Sequence, residues 1–82
     1  MEKIRAHCLV KLAPQKLETV VEEIQQIPGI QNYSVITGDY DGVIDIEVDS
    51  MSDLYELYKK IEKVDGIVDT NTHVVMKRFE FQ

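Results

Sequence analysis

Two stretches of this sequence, IQQIPGIQ around Gly29 and IEKVDGIV around Gly66, carry one pattern 37 residues apart (66 − 29). The correspondence runs well beyond the glycines. Leu17, Val20, Val21, Ile24, Ile27 and Ile30 map onto Leu54, Leu57, Tyr58, Ile61, Val64 and Ile67. Each set has the i, i+3, i+4, i+7 spacing that puts one apolar stripe on a helix. Each then reaches a glycine suited to a left-handed turn, after which an apolar residue resumes the chain. Pro14 fits a first helical position, where its missing N–H is not needed. Ser50 or Ser52 suits an N-cap, with Asp53 in the favourable first turn. The spacing predicts helices over residues 14–27 and 52–64.

Four strand-like segments surround these helices. IRAHCLVKL, from Ile4, alternates with Ile4, Ala6, Cys8, Val10 and Leu12 on one face. VIDIEV puts Ile44, Ile46 and Val48 on one face, with Asp45 and Glu47 on the other. IQNYSVIT and VDTNTHVVMKRF alternate less cleanly, as edge strands do. The order β-α-β-β-α-β, with right-handed crossovers, gives an α+β ferredoxin-like plait. Its four-stranded antiparallel sheet takes the order 4-1-3-2, with both helices on one face.

Eighty-two residues make one domain, residues 1–82, with a thin core that association would help. There is no apolar run near the ~20 residues of a membrane span and no export signal, and the single cysteine, Cys8, excludes an internal disulfide. A reducing cytoplasm is the simplest setting. Cys8 falls on the helix-facing side of strand one, as a buried thiol. The formal net charge of −6 argues against direct binding to nucleic acid.

The strand order also predicts a charge ladder on the face away from the helices. Lys3, Arg5, His7 and Lys11 of strand one stand beside Asp45, Glu47 and Asp49 of strand three. That face is either solvated or meets the sheet of a second copy, with Leu9, Val43 and Val75 as its apolar contacts. His7 and His73 share parity on neighbouring strands, which leaves open a small metal-binding or acid–base plait. No nucleophile motif accompanies them, and phosphate loops are absent.

Between strands two and three lies TGDYDG, Thr37 to Gly42. It reads as hairpin turn chemistry, as paired carboxylates, or as a small-molecule site. It lacks the ligand number of a calcium loop.

IPGIQNYSVITGDYD followed by GIVDTNTHVVMKRF resembles the effector-binding RAM domain of the Lrp/AsnC (feast/famine) regulators, from about Ala6 to Phe79. The most specific pieces are Pro28-Gly29, TGDYD at Thr37–Asp41, and the T-x-T of Thr70 and Thr72. The resemblance implies a plait that dimerises through its sheets and builds octameric or decameric rings. It further implies recognition of an amino acid or related metabolite at subunit interfaces, without enzymatic activity or a cofactor. Relatives of full length carry a helix-turn-helix; this chain is similar to stand-alone members that act through assembly with such regulators. Gly42 stands where many relatives have a bulky apolar residue, a change expected to loosen the hairpin. His73 occupies a position often small or apolar.

An α-amino acid needs donors for its carboxylate and an acceptor for its ammonium. Thr37, Gly38, Asp39, Tyr40 and Asp41 offer both: Gly38 lets backbone N–H groups approach, and Asp39 or Asp41 accepts. Tyr40 reads as an interface packing residue. Thr70 and Thr72 add hydroxyls on strand four, where ordinary β-propensity also explains them. The turn and Thr70 are expected at opposite edges of the sheet, about 14 Å apart at three strand spacings, so one amino acid touching both requires two subunits. The competing readings are an assembly subunit with a vestigial pocket and a metal-binding plait using His7 and His73.

Overall fold

The computed structural model describes residues 2–82. Its elements are β1 (Ile4–Leu12), α1 (Leu17–Ile24), β2 (Ile30–Val35), β3 (Gly42–Val48), α2 (Met51–Glu62) and β4 (Ile67–Val74). They form one antiparallel sheet in the order β2-β3-β1-β4, the expected plait. Among the described residues, no helix is long and apolar enough to cross a membrane.

Alternation along the strands decides what each face holds. Ala6, Cys8 and Val10 of β1 and Ile44 and Ile46 of β3 are buried against Val20 and Ile24 of α1 and Leu54, Leu57 and Ile61 of α2. Burial pushes the Cys8 thiol above its ordinary pKa, because the thiolate would lose its hydration. On the other face the charge ladder is present rung by rung. Lys3 Nζ lies 2.8 Å from Asp49, Arg5 Nε 3.0 Å from Glu47, and His7 Nδ1 2.6 Å from Asp45. These pairs are substantially solvated, so each contributes little to stability.

The two corners after the helices match atom for atom. Ile27 N donates to Ile24 O at 3.0 Å and Ile30 N to Ile27 O at 3.4 Å. Val64 N donates to Ile61 O at 3.1 Å and Ile67 N to Val64 O at 3.3 Å. Gly29 and Gly66 occupy the third turn position with φ of +98° and +104°, where a side chain is strained.

The helix starts differ from each other. α2 is capped by Ser50, whose Oγ accepts from Asp53 N at 3.0 Å. α1 begins at Leu17, later than Pro14, because Gln15 takes φ +64° and breaks the helical path. Lys16, at the capping position, offers no side-chain acceptor; its Nζ reaches Asp65 at 2.9 Å instead.

β4 also stops short of Phe79. Its neighbour β1 begins at Ile4, so after Val75 N donates to Arg5 O there is no strand left to pair with. Gly42 does not loosen the hairpin. It is buried, and the Tyr33 ring lies in the space a Cβ would take, so the missing side chain is replaced by an aromatic one from the next strand.

Candidate ligand-binding site

Hydrogen bonds aim the acidic loop, residues 37–41, toward the middle of the sheet. Ile36 N donates to Asp41 O at 3.2 Å, and Asp41 N donates to Val10 O at 2.8 Å. Leu12 N donates to Asp41 Oδ2 at 2.8 Å. Asp41 therefore ties the loop to β1, with one carboxylate oxygen committed to backbone. Lys11 Nζ sits 5.6 Å from the centre of the Tyr40 ring, a cation–π distance. Thr37, Gly38 and Asp39 are exposed; Gly38 has φ +112° and open space where a Cβ would be.

This attachment changes the expected separation. Val10 pairs with Thr70 across β1 and β4, while Asp41 bonds Val10 from the β3 side, so Asp41 stands about two strand spacings from Thr70, roughly 9.6 Å across the ladder, rather than three. The two motifs nevertheless fall on different faces. Thr70 and Thr72 pair with Val10 and Cys8, which are fully buried under the helices. Tyr40 packs on Lys11, whose partner Asp69 has the outward parity. The sheet lies between the Tyr40 ring and the threonine hydroxyls.

Thr70 opens into a cleft of 270 Å³ between α2 and β4, lined by Tyr58, Glu62, Ile67, Val68, Asp69 and Thr70. The Tyr58 hydroxyl donates to Glu62 Oε2 at 2.6 Å. That bond to a carboxylate is the main reason the phenol titrates above its ordinary range. Asp69 Oδ1 accepts from Thr70 N at 3.0 Å. Thr72 lies deeper, its Oγ1 buried without a hydrogen-bond partner. The cleft thus presents the Glu62 carboxylate and the Tyr58 and Thr70 hydroxyls, with the outward-parity Asp69 at its rim, a set suited to accepting from a cationic amine.

Tyr58, Glu62 and Asp69 are absent from the sequence-derived candidates. Tyr58 reads there as a member of the α2 apolar stripe; the available signal was its polar tip among Leu54, Leu57, Ile61 and Val64, with Glu62 one turn on. On the edge strand β2, Tyr33 is the counterpart of Thr70 in the repeat. Its buried hydroxyl has no partner, and burial, with the Asp41 charge as a second cause, raises its pKa.

On the outer face His7 pairs directly with His73 and hydrogen-bonds Asp45. Among the described residues, no three histidine, cysteine or acidic side chains come together as a metal cluster.

The model of the Lrp/AsnC ligand binding domain matches residues 5–81. An HTH-type transcriptional regulator of Pyrococcus horikoshii, PH0140, is 30% identical over 74 residues, which are 89% of this chain and 47% of that protein. The chain thus spans about half the length of such relatives. The crystal structure of PHS023, also from Pyrococcus horikoshii, superposes with a TM-score of 0.80 at 28% identity over 92% of both chains. The transcriptional regulator NMB0573 of Neisseria meningitidis, solved as an L-Met complex, shares the fold with a TM-score of 0.86 at 16% identity, over 95% of this chain and 53% of that one. With nearly every residue of the plait inside the matched region, the chain belongs to the Lrp/AsnC ligand-binding domain family.

Proposed function

We propose that this domain binds an amino acid or a closely related metabolite between subunits, and takes part in transcriptional regulation through oligomer assembly without holding DNA itself. The observation that carries the proposal is the division of polar groups between the two sides of one sheet. Residues 37–41 project with Gly38 in open space, while Tyr58, Glu62 and Thr70 meet in a cleft on the helix side with Asp69 at its rim.

An amino acid offers two opposite charges a few ångströms apart, and each needs its own partners. In this reading Glu62 receives the ammonium, Asp69 adds its charge from the rim, and Thr70 and Tyr58 orient it. The Gly38 backbone N–H and Thr37 of a neighbouring copy meet the carboxylate. Asp41 positions the loop, and Asp39 and Tyr40 line its exposed side. The L-Met complex of NMB0573 supports an amino-acid effector on this fold. The formal charge of −6 supports a role apart from the DNA backbone.

A site completed by a neighbour couples ligand binding to assembly by mass action. Native mass spectrometry with and without an amino-acid mixture, and thermal shift against the twenty amino acids, test this together. The expected result is a retained ligand mass on an oligomer, and stabilisation by about 2.7 kcal/mol at a hundredfold excess over Kd. Affinity unchanged in a monomerised variant refutes the shared site; no shift with any amino acid refutes the ligand.

A further inference from the structure

We propose that His7 and His73 form a two-imidazole site for a borderline divalent cation of the zinc class, on the sheet face opposite the ligand cleft. The two residues are direct cross-strand partners in the β1–β4 ladder. Opposed residues in an antiparallel pair hold their Cβ atoms about 4.5–5.5 Å apart. Two imidazoles at that separation reach one ion at the usual Zn–N distance of about 2.0–2.1 Å.

A second observation sets the chemistry. His7 Nδ1 lies 2.6 Å from Asp45 Oδ1, the carboxylate–imidazole arrangement that fixes the tautomer and orients the other ring nitrogen outward. Asp45 therefore leaves His7 Nε2 as the lone-pair donor, held in orientation by a rung of the charge ladder. Both rings are exposed, so the ion arrives without opening the fold. Imidazole ligands select zinc and its transition-metal neighbours over calcium and magnesium, which take oxygen.

Two ligands leave a four-coordinate ion half filled. Water completes it on a free face; if copies stack their sheets here, a second copy's histidine pair completes it. The site is independent of the amino-acid reading and is tested without any amino acid.

The test is titration of the metal-free chain with zinc chloride, read by calorimetry and by the imidazole proton resonances. The expected result is saturable binding with Kd below about 1 mM, with both histidines' resonances moving together. One ion per chain or one per two chains both support the site and distinguish water from a second copy as the remaining ligands. His73→Ala, on an exposed edge-strand residue, should weaken binding at least about tenfold, His7→Ala likewise, and Asp45→Asn about tenfold with both imidazoles intact. Zinc affinity in His73→Ala within about twofold of the unaltered chain, or imidazole signals that zinc leaves unmoved, overturns the proposal.

Discussion

The groove between α1 and β2 and the groove between α2 and β4 are the same object built twice. Val21, Gln25, Ile30, Gln31, Asn32 and Tyr33, together with Ile24, line the first, with a volume of 250 Å³. The counterparts of the first six, 37 positions on, are Tyr58, Glu62, Ile67, Val68, Asp69 and Thr70, which line the second at 270 Å³. The backbone repeat fixes size and shape, and the side chains divide the roles. The first groove carries no formal charge; the second has two carboxylates. A cavity of this shape is a consequence of packing a helix on an edge strand, so volume says nothing about which groove binds. The chemistry of six positions does.

The sharpest way to break the symmetry is at the glycine corners through which the chain enters each groove. A Cβ at Gly66 would stand 2.7 Å from Lys16 Cβ and 2.9 Å from Val20 Cγ2. Lys16 Cβ is fixed to backbone and cannot swing away. At Gly29 the nearest atoms are Val48 Cγ1 at 3.1 Å and Leu57 Cδ2 at 3.2 Å, side-chain ends that yield by small rotations. Both positions have positive φ, which costs an alanine as well. Gly66→Ala should therefore lose about 2–3 kcal/mol and Gly29→Ala about 1–2 kcal/mol in urea unfolding. Equal losses would mean that the left-handed backbone alone, not the packing around it, sets the cost.

The functional asymmetry is tested by matched substitutions. Glu62→Gln and Asp69→Asn should each weaken the best-binding amino acid about tenfold, about 1.4 kcal/mol, while Gln25→Ala and Asn32→Ala stay within about twofold. Equal effects in the two grooves, measured by calorimetry, would place the ligand elsewhere.

Helix starts give a smaller contrast. Ser50→Ala removes the one acceptor for Asp53 N and should cost about 1 kcal/mol. In the other half Gln15 already holds a left-handed φ of +64°. Gln15→Gly should raise stability by about 0.5–1 kcal/mol, and a loss in its place would show that the Gln15 side chain contributes to the native state.

What could be read from the sequence follows from the range of each interaction. The helix stripes, the two glycine corners and the charge ladder are periodic and local once the strand order is known, and all three are in place. Pro14 misled because the left-handed Gln15 has no sequence signature, and β4 ran too long because its end is set by where β1 begins, some seventy positions away. Gly42 is explained by Tyr33, nine residues earlier and on the neighbouring strand. The loop's attachment depends on Asp41 accepting from Leu12, a contact across 29 positions that no turn rule contains. The ligand groups were half legible: Thr70 by motif, but Tyr58 and Glu62 only once α2 is laid against β4.

The finest discrimination between the grooves is electrostatic. Tyr58 replaces Val21 of the first half, and its hydroxyl donates to Glu62 where that half has Gln25. A phenol bonded to a carboxylate resists deprotonation, since the phenolate would lose the bond and face a like charge, and the Tyr58 pKa is raised accordingly. The sign follows from linkage. The bond's contribution is fully present below the ordinary phenol value of about 10, and it disappears as pH rises through the higher folded-state value. Glu62→Gln removes the charge but keeps an acceptor, so Tyr58 should titrate at a lower pH in that variant while Tyr33, which burial raises, stays where it was. Ring-carbon NMR titration resolves the two. A Tyr58 titration unmoved by Glu62→Gln would mean the carboxylate is turned to solvent and the second groove lacks its acceptor.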